Sequence, residues 1–138
     1  MFVCARSGSD RSRTFGVSGR ELGPAGEAAA RSFLESKGME FVTANWRCQT
    51  GEIDLVMLDR NELVFVEVKA RRGEGSGRAE EAVGKAKSRK LLATGEWFVA
   101  KHPEHHQRIW RIDLLALTYD RDGRIRRIGH IENAIVTG

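Results

Sequence analysis

The sequence predicts an α/β fold, a mixed central sheet flanked by helices with elements in the order αβββαββ. Two β-type segments, 52–58 (EIDLVML) and 63–69 (LVFVEVK), flank the polar stretch Asp59-Arg60-Asn61-Glu62 and read as a hairpin with a four-residue loop. The second segment is apolar on both faces apart from its end, which is the pattern of a central strand covered on both sides. A helical stretch then separates this hairpin from a further strand, an arrangement that favours a sheet sandwiched by helices.

The remaining elements follow in order. Gly23-Pro24 opens a helix and Gly38 closes it, with Ala29, Ala30, Phe33 and Leu34 as its apolar stripe. Residues 39–47 (MEFVTANWR) read as a short strand and a loop, and 71–78 (RRGEGSGR) as a flexible basic loop. The second helix runs from about Ala79 to Lys101, with Val83, Leu91, Thr94 and Phe98 inward, and its interior Gly95 weakens it. Residues 108–118 form a strand, Asp120–Gly123 a turn, and 125–132 an edge strand.

At 138 residues, with 41% hydrophobic and 30% charged side chains, the composition is that of one soluble globular domain over 20–138. Residues 1–19 are rich in Ser, Gly and Arg without periodicity and read as a flexible tail. No apolar run approaches the roughly 20 residues of a membrane span, and no secretory leader is evident. Two cysteines, Cys4 and Cys48, are too few for a disulfide framework or a Cys-rich zinc site, so reduced thiols in the cytoplasm are expected. His102, His105 and His106 cluster around Pro103 in no zinc-like spacing and read as a solvated loop. The net charge of +4 admits a polyanionic partner without requiring one.

The informative residues are Asp54, Glu67 and Lys69, charged positions inside strands that are otherwise Val, Ile and Leu. A charge there needs a partner, a metal or a function. Glu67 and Lys69 are two apart and share a face. If Leu58 pairs with Leu63, paired positions sum to 121, so Asp54 falls opposite Glu67 and Glu52 opposite Lys69. Two converging carboxylates beside a lysine suit a hard divalent cation such as Mg²⁺ (or Mn²⁺) that keeps several waters. Ordinary ion pairs near the strand ends are the structural alternative, and a one-residue slip would undo the convergence.

GEIDLV (51–56) followed by VFVEVKAR (64–71) resembles the D…(D/E)-x-K core of restriction-endonuclease-like nucleases. The closer resemblance is to the YraN family of predicted endonucleases, itself similar to archaeal Holliday-junction resolvases. GEAAARSFL (26–34), NWR (45–47), RIDLLAL (111–117) and HIENA (130–134) extend the match, while Ile53 stands where the superfamily often has proline. The resemblance implies a restriction-endonuclease-like sheet and metal-dependent hydrolysis of DNA, with branched or junction DNA among the candidate substrates. It assigns Asp54, Glu67 and the Val68 carbonyl to the metal, Lys69 to the attacking water or the phosphate, and Glu27 to a water-mediated contact. Glu27 also fits an ordinary i,i+4 surface pair with Arg31.

Arg47, Arg71, Arg72 and Arg78 flank the site as candidate phosphate contacts, and the resemblance adds Lys87, otherwise part of a solvated basic face. Trp46 fits core packing better than base stacking, and Arg111 with Asp113 reads as a structural ion pair. The resemblance to resolvases also admits a homodimer, for which Ile125, Ile128 and Ile131 offer an apolar edge or simply core. A module that binds nucleic acid without cleaving it is the alternative to an enzyme.

Overall fold

The computed structural model describes residues 23–72 and 88–135 in full and the backbone of 85–87. The expected N-terminal tail, the loop after Arg72 and the first turns of the second helix lie outside these residues, as do Arg78 and Val83. The elements are α1 (Gly23–Ser36), β1 (Glu40–Cys48), β2 (Gly51–Asp59), β3 (Glu62–Arg72), α2 (Lys85–Lys101), a 3₁₀ turn (Pro103–His105), β4 (Trp110–Tyr119) and β5 (Ile125–Ile135). The sheet is mixed, in the spatial order β1-β2-β3-β4-β5. β3 and β4 run parallel across the α2 crossover, and every other neighbouring pair is antiparallel. β3 is therefore central, as its two apolar faces require.

Period-two alternation along β3 divides the core. Val64, Val66 and Val68 join Ala30 and Leu34 of α1 with Leu115 and Leu117 of β4. Leu63 and Phe65 join Leu91 and Phe98 of α2 with Ile112 and Ile135. Each helix thus seals one face of the sheet. α1 stops at Gly38, whose φ of 98° is open to glycine at little cost. Met39 N–H donates to the Leu34 carbonyl and Gly38 N–H to that of Glu35, which satisfies the helix's last acceptors. Met39 and Leu34 then meet in the same core cluster.

The β2–β3 register is the expected one, with Leu58 against Leu63 and pairing that continues to Leu55 against Val66. Asp59 also pairs with Glu62, so the loop is Arg60-Asn61 alone rather than four residues. Arg60 takes φ 62°, the left-handed conformation that tight hairpins demand.

The histidine loop departs from expectation, and the core reading of Ile125 and Ile128 holds. His105 is buried, not solvated, and His102 stacks on Phe98 with ring centroids 3.9 Å apart. The Pro103 turn folds both rings back over the end of α2, where they stack on Phe98. Ile125 and Ile128 pack against the α1-side core, leaving only Ile131 of that trio exposed. Trp46 is core, meeting Phe98 edge-on at 5.1 Å.

Gly95 costs helix propensity but permits close packing. A Cβ there would lie 2.8 Å from Trp110 Cζ3 and 3.0 Å from Phe65 Cε2. Gly95→Ala should therefore destabilise the protein, overpacking by about 1–3 kcal/mol against a helix gain of about 1. A urea midpoint at or above wild type would show that the rings move aside freely.

Candidate functional site

β1 ends, β2 begins and β3 ends at one end of the sheet, because β2 runs antiparallel to both neighbours. That end collects the charged residues singled out in the sequence. The β1–β2 turn is fastened to α2: Thr50 and Thr94 hydroxyls lie 2.8 Å apart, and Thr94 Oγ1 donates to the Lys90 carbonyl. Gly51, at φ 148°, passes so close that a Cβ would sit 3.3 Å from Thr94 Oγ1. The start of β2, three residues before Asp54, is thereby fixed on the helix.

Asp54 and Glu67 are 7% and 5% exposed, two carboxylates inside strands that carry the core. The paired ladder stops at Leu55–Val66, one step short of them. In its place the Asp54 side chain reaches across, and Oδ2 accepts the Val68 N–H at 2.8 Å. Asp54 is thus anchored to the main chain of the strand that bears Glu67, Val68 and Lys69. By the alternation of β3, Glu67 and Lys69 face the α2 side with Phe65. Val68 turns its side chain into the opposite core.

The departure from a regular ladder coincides with an irregularity in β1. Ala44 pairs with Leu55 and Trp46 with Ile53, so Asn45 falls beside Asp54. Asn45 adopts φ 53°. In a regular strand Ala44 and Trp46 would share a face, yet Ala44 packs on the α1 side and Trp46 on the α2 side. The left-handed residue reverses the faces where Asp54 must leave the ladder.

Glu27 Oε1 accepts a 3.0 Å hydrogen bond from Asn45 Nδ2, which brings the α1 carboxylate to the strand residue beside Asp54. The alternative pair with Arg31 does not form. Arg31 binds Glu35 instead and lies over the Phe41 ring. Arg47 bonds Glu52, its cross-strand neighbour, at 3.2 Å. Arg71 and Arg72 close β3, with Arg72 exposed. Lys87 lies in the first turn of α2, its side chain outside the described residues.

Among the described residues no three acidic, histidine or cysteine side chains form a ready cation cage. The residues that could hold a cation are two buried carboxylates, Asp54 and Glu67, with the neighbouring main chain. That fits a hard cation whose remaining positions are water, and fits poorly a softer ion seeking imidazole or thiolate.

At the other end of β4, Arg111 bonds Asp113, Asp59 and Glu62 at 2.9–3.0 Å. Asp113, fully buried, also accepts His130 Nε2 and the Asn133 N–H, each at 2.8 Å. The Arg111–Asp113 pair was legible from its i,i+2 spacing. The roles of His130 and Asn133 were not, since they depend on an irregularity in β5. Asn45 was missed for a similar reason: nothing in an alternating pattern marks a left-handed strand residue.

The model of the uncharacterised protein family UPF0102 matches residues 26–117. A UPF0102 protein of Pelotomaculum thermopropionicum is 45% identical over 115 residues, covering 82% of this chain and 93% of its own length. One of Roseiflexus castenholzii is 40% identical, covering 83% of this chain and 92% of its own length. The matched span runs from the Glu27 helix through both carboxylate strands to the end of β4's apolar run, and the chain belongs to the UPF0102 family.

Proposed function

We propose that this protein is a metal-dependent endonuclease that hydrolyses phosphodiester bonds in DNA. The observation that carries this reading is the anchoring of buried Asp54 to the strand that bears buried Glu67 and Lys69. Two carboxylates buried close together in a Val- and Leu-lined sheet repel each other, and a cation between them offsets that repulsion.

Asp54 and Glu67 would hold Mg²⁺ or Mn²⁺, with the Val68 carbonyl available from the same strand. When bound, such an ion supplies Lewis-acid polarisation of a phosphoryl oxygen and a more acidic water. The chain supplies the rest. Lys69, on the Glu67 face, places an ammonium where charge builds on the phosphate as the P–O3′ bond breaks. Water adds to phosphorus, leaving a 5′-phosphate and a 3′-hydroxyl. Glu27, held by Asn45, would accept a hydrogen bond from a water near Asp54. Arg71 and Arg72 extend the positive surface from the site.

The test is a cleavage panel of four-way junction, flap, single-stranded and duplex DNA with Mg²⁺ or Mn²⁺, beside EDTA and Lys69→Ala. Metal-dependent cleavage lost in Lys69→Ala is expected, and the best substrate defines the DNA structure recognised. DNA binding without cleavage of any substrate would favour the non-catalytic module.

A further inference from the structure

Arg127 has no role in the site as described, yet the register puts it in line with that site. Arg71 pairs with Thr118 across the parallel β3–β4 ladder, and Thr118 pairs with Arg127 across β4–β5. Directly paired residues project to the same face, so Arg71, Thr118 and Arg127 form one row. By the same alternation this is the face of Glu67 and Lys69. Arg127 stands two strands from Arg71, about 10 Å, and the row lies about 7 Å beyond Lys69 along the strand.

The turn joining β4 to β5 enlarges this row. Residues 120–127 (DRDGRIRR) hold four arginines and two aspartates. Arg121, Arg124, Arg126 and Arg127 are all exposed. Asp120 Oδ1 accepts the N–H groups of Asp122 and Arg124, so that carboxylate shapes its own turn.

We propose that the arginine-rich β4–β5 hairpin, led by Arg127 in its row with Arg71, is a second phosphate-binding segment. It holds the DNA backbone as it runs from the Lys69 site across β4 to the sheet edge. This rests on DNA being the substrate and adds where the strand beyond the scissile phosphate lies. Arginine at a sheet edge also deters edge-to-edge association, so edge protection is the competing role.

The test is fluorescence anisotropy of the full chain with a labelled duplex in EDTA, over 50–200 mM salt. Arg126→Glu/Arg127→Glu is compared with wild type and with Arg60→Glu at the opposite end of the sheet. Circular dichroism checks folding, and Arg124→Glu in the exposed turn serves if the double variant is unfolded. The expected result is a loss of at least tenfold in affinity and a salt slope shallower by about 2, from two lost phosphate contacts at about 0.9 each. Arg60→Glu should stay within twofold. Unchanged affinity and slope, self-association of the variant in place of lost binding, or no wild-type binding at 50 mM salt would each overturn the proposal. Lost binding with a wild type that cleaves nothing would sustain this surface and remove the nuclease reading; cleavage with unchanged binding would do the reverse.

Discussion

Glu67→Gln is expected to reduce metal-dependent cleavage by at least about 10²–10³-fold without lowering the melting temperature in EDTA. The two halves test different things. Loss of cleavage says that the carboxylate takes part in the reaction. The stability in EDTA says why it is there. Glu67 is 5% exposed in the apolar part of β3, two residues before Lys69, with Asp54 anchored on the same strand. Two neighbouring buried carboxylates repel each other, and a neutral isostere at Glu67 relieves that repulsion. If Glu67 were instead the structural partner of a buried cation, removing its charge would destabilise the fold by about 3–5 kcal/mol. Added Mg²⁺ separates the cases further. At about 100-fold above its Kd a ligand stabilises the folded state by about 2.7 kcal/mol, which is about 5–10 °C for a protein of this size. Wild type should show that shift and Glu67→Gln should not. A variant that melts well below wild type in EDTA, with wild type indifferent to Mg²⁺, would make Glu67 a structural residue.

What the sequence disclosed follows from which interactions are local. The 58–63 pairing was legible because period-two apolar residues on either side of a polar turn admit one good register. Carried one step further, that register predicts Asp54 opposite Glu67, whereas the ladder stops at Leu55–Val66. The detail between them was not legible. Asp54 binds the Val68 main chain beside a left-handed Asn45, and no alternating pattern encodes either feature. The same holds for α2. Gly95 reads as a weak point in a helix, while its use, contact with Phe65 and Trp110, needs a strand on each side of the crossover. His105 carries no periodic signal and is buried by the turn that Pro103 begins. The Arg71–Thr118–Arg127 row joins residues about fifty positions apart and appears only once both ladders are fixed.

Asp113→Ala should be strongly destabilising, about 3–5 kcal/mol, because it leaves His130 Nε2 and the Asn133 N–H without their buried acceptor and takes the most buried of three carboxylates from Arg111. Its side chain has no exposure, and those of His130 and Arg111 are only 2% and 14% exposed. Between Ile112 and Leu114, β5 advances from Ile135 to Ile131, so residues 132–134 arch over the carboxylate. Asn133, at φ 52°, turns its N–H inward to complete the cage. Burial alone would raise the Asp113 pKa, but the hydrogen bonds from His130, Arg111 and Asn133 outweigh it and hold the group below the ordinary carboxylate range. The sign of the pH effect follows. A depressed folded pKa contributes stability that is fully present above the unfolded value, about 3.9, and is lost as pH falls through the folded value. Asp113→Asn keeps the shape and removes the titration, so its deficit against wild type should be constant from pH 7 to about 5 and shrink below about 4. Urea unfolding of both proteins across that range measures it. A gap that stays constant down to pH 3 would mean that the Asp113 charge contributes nothing beyond its shape.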